Sequence, residues 1–150
     1  SEFWCAEFVS WCFYMACKNH ATTQQEPRRE GWQQLNDKWM FYVDNVPLWG
    51  GWRYINGRWY AFDNAGFMIK GWFKTEEGWY YLGEDGGMLA GQWIEDKGKW
   101  YYLTKTGLMA TSAKVRKVKG EGFDYVGEDG AFDSFKSLLQ RFPERAEIVE

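Results

Sequence analysis

The chain is organised by aromatic and glycine positions that recur about every twenty residues. In each unit a glycine comes before a tryptophan, and a second tryptophan follows seven residues after the first. The pairs are Trp32 and Trp39, Trp52 and Trp59, Trp72 and Trp79, and Trp93 and Trp100. The period slips once, where Gln92 is inserted before the fourth pair. Self-similarity at a fixed short period is typical of stacked repeats. It therefore predicts an array and not a single globular core.

Within a unit, the local pattern predicts a β-hairpin. Residues 52–55 and 58–62 read as two strands rich in aromatic and β-branched residues, and Asn56-Gly57 is a strong hairpin turn signal between them. Equivalent turns are predicted at 36–37, 77–78 and 97–98. One hairpin is marginal in water, so neighbours must stack. The predicted fold class is mostly β, a solenoid of stacked β-hairpins with a short N-terminal helix and a C-terminal capping helix.

The pattern changes at both ends of the array. Residues 1–19 read as a helix, because Trp4, Phe8, Trp11 and Met15 form one apolar stripe. Residues 20–30 are polar and read as a linker. The array spans 31–132, with units 31–50, 51–70, 71–90 and 91–110 and a degenerate unit 111–132. Residues 133–150 form the predicted C-terminal helix and tail.

The C-terminal helix is expected to close the array. Asp133 or Ser134 can cap its start, and Phe135, Leu138, Leu139 and Phe142 line one side. Burying that side on the last hairpin would protect an otherwise exposed apolar face. The alternative is that the helix mediates a homodimer through the C-terminal region.

Composition narrows the function. Eleven tryptophans cannot all be core in 150 residues, so many should lie in grooves or at the surface. A net charge of −3 gives no electrostatic basis for nucleic-acid binding. The apolar stretch 3–17 is too short to cross a membrane and makes a poor signal peptide, so membrane insertion is not expected. No motif indicates a metal or another cofactor.

The alternation of strand residues predicts which aromatics meet. Adjacent side chains point to opposite faces, so Trp59 and Tyr60 should face different neighbouring hairpins. A site can then combine both tryptophans of one hairpin with the tyrosine of the next. The predicted sites are Trp32, Trp39 and Tyr60; Trp52, Trp59 and Tyr80; and Trp72, Trp79 and Tyr101, with Met68, Met88 and Met109 as apolar walls. The fourth pair meets Asp124 at the matching position, which is not aromatic.

Three aromatic faces around a small pocket suit a quaternary ammonium ion. Each good cation–π contact is worth roughly 0.5–2 kcal/mol, and choline is a standing example of such a ligand. A quaternary ammonium has no N–H group, so a cage without hydrogen-bond acceptors costs it nothing. The alternative is that the tryptophans only join the hairpins together.

The unit Gly-Trp-x4-Gly-x-Trp-Tyr-x-Phe-x3-Gly-x-Met in residues 51–68 closely resembles the choline-binding, or cell-wall-binding, repeats. The resemblance implies hairpins with choline sites between neighbours, which hold phosphocholine on teichoic acids. It also implies an extracellular, cell-wall-associated protein, or a phage protein released at lysis. Met40, which replaces the first tyrosine, and Gln92 depart from the pattern. Glucan-binding repeats share the rhythm, so a glucan- or carbohydrate-binding module is the alternative.

The N-terminal helix has a second resemblance. Trp4-Cys5-Ala6-Glu7-Phe8-Val9-Ser10-Trp11-Cys12 looks like the nucleophile helix of cysteine, histidine-dependent amidohydrolase/peptidase domains, which makes Cys5 a weak catalytic candidate. On a continuous helix the single histidine, His20, would lie about 22 Å away. A non-catalytic module is therefore expected, with a truncated cysteine peptidoglycan hydrolase, an endolysin, as the alternative.

We expect the purified chain to release no peptidoglycan fragments from walls, because no base can reach Cys5. Wall lysis that disappears in Cys5→Ser would contradict this expectation.

Overall fold

The computed structural model describes residues 26–150, and these residues are mostly β, as predicted. The predicted N-terminal helix and the first part of the linker lie outside the described residues. The elements are β1 Gly31–Leu35, β2 Lys38–Val43, β3 Val46–Pro47, β4 Gly51–Ile55, β5 Arg58–Phe62, β6 Gly71–Lys74, β7 Trp79–Leu82, β8 Gln92–Asp96, β9 Lys99–Leu103, β10 Ala113–Arg116, β11 Phe123–Val126, β12 Phe132–Asp133, α1 Ser134–Leu139 and β13 Glu147–Val149.

Four antiparallel hairpins carry the four tryptophan pairs, and each forms its own small sheet. They are β1–β2, β4–β5, β6–β7 and β8–β9. The turns at 36–37, 56–57 and 97–98 lie where the sequence predicts them. Both residues of each turn have positive φ, as at Asn56 and Gly57. This conformation matches the right-handed twist of the flanking strands, and Asn and Gly adopt it at low cost.

The third hairpin differs from the prediction. Its strands are joined by the four residues 75–78, whereas the sequence predicts a tight turn at 77–78. The residues that align with Asn56-Gly57 are Glu76 and Glu77, and neither has positive φ. A wider loop forms instead, in which the Thr75 hydroxyl accepts a hydrogen bond from the Glu77 amide.

The core follows the same period as the tryptophans. The third residue after the second tryptophan of a unit is almost fully buried in each of units two to four, at Phe62, Leu82 and Leu103. Val126 holds the equivalent place in the degenerate unit, and it is also fully buried. Each of units two to five therefore buries an apolar residue at the same place in its hairpin.

Backbone hydrogen bonds connect successive hairpins. The amides of Met68, Met88 and Met109 donate to the carbonyls of Trp39, Trp59 and Trp79, at 2.7–2.8 Å. Each methionine thus reaches back from its own unit to the second tryptophan of the preceding unit. These bonds fix the spacing at which two neighbouring hairpins can share a pocket.

The degenerate unit 111–132 forms a four-stranded sheet in the order β12-β11-β10-β13. Strand β11 takes the place of a return strand in this unit, with Phe123 at the position of the second tryptophan. The last strand, β13, pairs in parallel with β10. It was not predicted, because residues 133–150 read as a helix followed by a tail. The end of the chain therefore completes this sheet.

Helix α1 begins where predicted, since the Asp133 side chain accepts a hydrogen bond from the Lys136 amide. The prediction that its apolar side is buried is wrong for three of the four residues. Phe135 and Leu138 are 70% and 80% exposed, and Leu139 is also exposed. Instead Ser137 is buried and accepts a hydrogen bond from the Tyr125 amide. That polar bond orients the short helix, so its apolar side faces outward.

Residues 26–30, the end of the predicted linker, are held against the first hairpin. Arg28 forms an ion pair with Asp44, and the Asn45 amide donates to the Arg29 carbonyl. Within residues 26–150 no helix is long and apolar enough to span a bilayer.

Candidate binding sites between neighbouring hairpins

The two tryptophans of each hairpin lie on one face and meet at a right angle. In the second hairpin Trp59 pairs with Tyr54, two residues from Trp52, so both indoles project to the same side. The ring centroids are 6.2–6.4 Å apart, with interplanar angles of 84–85°, in the first three hairpins. The pair therefore forms a corner of two perpendicular aromatic faces.

A tyrosine from the next hairpin adds a third face to each corner. Tyr60, Tyr80 and Tyr101 lie 4.9, 5.1 and 5.0 Å from the first tryptophan of the preceding unit. Each tyrosine directly follows a second tryptophan, so it points to the opposite side of its own hairpin. The structure brings together the same triads that the alternation predicts.

Methionines close the corners and leave three cavities. The first cavity, about 370 Å³, is lined by Trp32, Trp39, Tyr60 and Met68. The second, about 230 Å³, is lined by Trp52, Trp59, Tyr80 and Met88, and the third, about 200 Å³, by Trp72, Trp79, Tyr101 and Met109. The predicted aromatic residues thus line cavities in the predicted triads, and Met68, Met88 and Met109 each line one of these cavities. Their role in ligand binding stays a prediction.

Three glycines pack against the methionines of the preceding units: Gly86 and Gly107, two residues before Met88 and Met109, and Gly130, two residues before Phe132. Gly86 has a φ of +82°, and a Cβ atom there would overlap the sulfur of Met68. Gly107 and Gly130 hold the same position against Met88 and Met109, where an added Cβ would lie 2.6 Å from the sulfur. The glycine therefore allows close backbone approach, and the thioether is packed into its cavity wall.

The second tryptophan of every pair keeps much of its surface in solvent. Trp39, Trp59, Trp79 and Trp100 are 37–47% exposed. Tryptophans that served only to join hairpins would bury both faces, since an exposed indole gives up apolar burial. Each of these tryptophans also lines one of the cavities, where a ligand can reach it.

Carboxylates stand beside the aromatic faces. Glu84 and Asp85 line the first cavity, Glu77 the second and Asp129 the third. The Asp85 carboxylate forms a salt bridge with Arg58 at 2.5 Å. The hydrogen bond from Arg58, together with one from the Gly87 amide, holds the pKa of Asp85 below its usual range. Burial, together with a hydrogen bond to Glu77, raises the pKa of the Tyr80 phenol. Each of the three cavities thus has aromatic walls with at least one carboxylate beside them, and the carboxylates of Asp85 and Asp129 have a basic side chain close by.

A fourth cavity contains an aromatic residue that the sequence analysis missed. Trp93 and Trp100 line it together with Asp124 and Phe132, in a volume of about 360 Å³. Phe132 lies 5.8 Å from Trp93 at an interplanar angle of 87°. The sequence does indicate this residue, because Gly130-Ala131-Phe132 occupies the position at which the earlier units have the motif Gly-x-Met. The triad pattern places a tyrosine as the third aromatic, and the residue at that position in this unit is Asp124.

Cys5 and His20, the residues considered for cysteine peptidase chemistry, lie outside the described residues. Within residues 26–150 no cluster of three or more potential metal ligands occurs.

Comparisons with known proteins point to one family. Residues 50–93 match the sequence family described as choline-binding repeat, and residues 91–109 match the putative cell wall binding repeat. No curated protein sequence matches the chain significantly.

Solved structures give the same result for the fold. Choline binding protein F from Streptococcus pneumoniae is 30% identical over 71% of this chain and 34% of its own, with a TM-score of 0.58. Its structure with a peptidoglycan analogue is 32% identical over the same shares, with a TM-score of 0.57. The pneumococcal cell wall endolysin from phage Cp-1, complexed with choline, is 24% identical over 85% of this chain and 43% of its own, with a TM-score of 0.55.

The described chain thus spans about a third of choline binding protein F and less than half of the phage endolysin. The sequence matches fall on the hairpins that carry the second to fourth tryptophan pairs, and the structural matches share their fold. The repeats of this chain belong to the choline-binding, or cell-wall-binding, repeat family.

Proposed function

We propose that residues 31–132 are a non-catalytic cell-wall-binding module that holds choline head groups in the first three cavities. The observation that carries the proposal is the shape of these cavities. Two perpendicular indoles, a tyrosine and a methionine surround a space that suits a compact, rounded cation. The solved relatives are named as a choline binding protein and as a cell wall endolysin complexed with choline, which supports the same ligand.

A cation fits these cavities better than a sugar. A sugar ring stacks on one flat aromatic face, whereas here the second indole stands at 84–85° to the first. The charged groups that line the three cavities are carboxylates. Asp85 is paired with Arg58 and Asp129 lies 3.9 Å from Lys99, whereas Glu77 and Glu84 form no salt bridge within residues 26–150. Negative charge favours an ammonium ion and gives a neutral sugar no comparable gain. The carbohydrate-binding alternative therefore ranks second.

Attachment to a wall would come from several weak sites acting together. Cation–π contacts worth about 0.5–2 kcal/mol each leave modest affinity once association costs are subtracted. The hairpins would stack as a solenoid, which holds the cavities at a fixed spacing. A polymer with repeated choline groups would then bind far more tightly than one choline, because each bound site raises the effective concentration for the next.

The polymer that we propose is a teichoic acid carrying phosphocholine, which places the protein outside the cell on a wall. A bacterial surface protein and a phage lysin released at lysis both fit this location. A truncated cysteine peptidoglycan hydrolase remains the enzyme alternative for the whole chain, and its test is the lysis assay with Cys5→Ser described above.

The experiment that tests the proposal is retention on a resin that carries tertiary or quaternary amines. We expect the chain to be retained at moderate salt and to elute with free choline. Elution by salt alone would indicate simple charge attraction, and elution by a soluble glucan would favour the carbohydrate alternative.

A homodimer through the C-terminal region stays a proposal, supported by the exposed apolar side of α1. Exposed apolar groups favour association. We expect sedimentation velocity to show a dimer, and we expect the substitution Leu138→Lys to dissociate it. Val118 lies in the loop between β10 and β11 and is 91% exposed, so Val118→Lys is the control and should leave the dimer intact. A chain that stays monomeric at all accessible concentrations would contradict this.

A further inference from the structure

We propose that the fourth cavity binds an ammonium ion that keeps at least one N–H group, and that it discriminates against choline. The inference rests on the proposed function, because it treats the fourth cavity as a variant of the three choline cavities. It adds a site and a ligand class that the repeat pattern does not contain.

Two substitutions distinguish the fourth cavity, and both follow from strand register. Tyr60 pairs with Arg53, Tyr80 with Phe73 and Tyr101 with Ile94, and Asp124 pairs with Val115 at the same place in its hairpin. A carboxylate therefore replaces the tyrosine wall. Phe132 replaces the methionine that lines the other cavities, because it occupies the last position of the Gly-x-Met motif.

Phe132 restores the third aromatic face that is lost where Asp124 replaces the tyrosine. With Trp93, Trp100 and Phe132 the cavity keeps three aromatic faces, so cation–π attraction is retained. Phe132 is positioned by a β-bridge between Tyr101 and Ala131, next to it in the chain. Gly130 receives the Met109 side chain as Gly86 receives Met68, which shows that the local packing is preserved.

The carboxylate in the wall changes which cation fits. Within residues 26–150 Asp124 forms no salt bridge, whereas Asp85 is paired with Arg58 and Asp129 lies 3.9 Å from Lys99. Choline has no N–H donor, so when its ammonium head lies among the aromatic rings only methyl groups face half-buried Asp124. The head would then displace water from the carboxylate without replacing the lost hydrogen bond. A tertiary ammonium can donate its single N–H to Asp124 and turn its methyl groups to the aromatic faces.

The test uses two probes that differ by one methyl group, choline and protonated N,N-dimethylethanolamine at neutral pH. Indole N–H resonances, assigned with single Trp→Phe variants, report each cavity separately by NMR. We expect the indole resonances of Trp93 and Trp100 to shift with the tertiary ammonium at a concentration lower by a factor of about ten or more than with choline. A hydrogen bond to a charged group is worth that factor. The tryptophans of the other three cavities should respond to choline at the same or lower concentration.

Three variants make the assignment specific. Asp124→Asn should abolish the preference at Trp93 and Trp100, and Asp124→Tyr should convert the fourth cavity into one that prefers choline. Glu128→Gln removes an exposed neighbouring charge and should leave the preference unchanged.

Equal or stronger response of Trp93 and Trp100 to choline would overturn the inference, and so would a preference that survives in Asp124→Asn or is lost in Glu128→Gln. If the first three cavities also ignore choline, the proposed function fails. If they bind choline while the fourth shows no preference for the N–H cation, only this inference fails.

Discussion

Replacing Trp59 by alanine should remove choline binding from the second cavity and leave the first and third occupied. Trp59 supplies one of the two perpendicular faces, 6.3 Å from Trp52. It is 44% exposed and lines the second cavity. Losing one good face costs about 0.5–2 kcal/mol, which takes an already weak site out of the measurable range. Titration calorimetry should report near three choline sites in the parent chain and near two in the variant.

Two other tryptophans provide controls for this measurement. Trp49 is 57% exposed and lies outside the cavity linings, so Trp49→Ala should keep all the choline sites. Trp100→Ala should leave choline binding nearly intact, because its cavity has Asp124 in place of the tyrosine. Loss of binding in Trp100→Ala with a silent Trp59→Ala would show that the cavities are wrongly assigned.

Replacing Gly86 by alanine should destabilise the array and weaken the first cavity together. A left-handed conformation costs a non-glycine residue about 1–2 kcal/mol, and φ at Gly86 is +82°. The added Cβ would also overlap the Met68 sulfur and push that side chain into the cavity. Thermal unfolding should show a clearly lower midpoint, and choline should lose affinity at Trp32 and Trp39.

Gly57→Ala is the matched control, since Gly57 has nearly the same φ, +85°, and nothing within 4 Å of an added Cβ. It should show the backbone cost alone. The double variant Gly86→Ala with Met68→Ala should recover part of the stability lost in Gly86→Ala. Equal destabilisation by Gly57→Ala and Gly86→Ala would show that the contact with Met68 is unimportant.

The triads could be predicted from sequence because they depend on local geometry. Alternation along a strand decides that Trp59 and Tyr60 face opposite sides, and the constant period then carries that relation to every unit. Asn56-Gly57 and its equivalents fixed three turns for the same reason. Where the local residues changed, at Glu76 and Glu77, the turn prediction was wrong.

The features that could not be predicted from the sequence depend on contacts between residues that are far apart in the chain. Phe132 joins the fourth cavity because the Gly-x-Met position reaches back to the preceding hairpin, a relation that is visible in the hydrogen bond from Met68 to Trp39. The exposed side of α1 results from Ser137 bonding to Tyr125 across the last sheet. Strand β13 finds its partner β10 more than thirty residues earlier. Residue patterns within one unit contain none of this information.

We propose that the first three cavities recognise positive charge through aromatic faces. Choline can be compared with the neutral alcohol in which carbon replaces its nitrogen, a molecule of the same shape. By titration calorimetry we expect choline to saturate near three sites and the alcohol to bind at least about tenfold more weakly, because it loses cation–π attraction at several faces. Equal affinity for the two molecules would contradict the account, since the cavities would then bind by apolar shape alone.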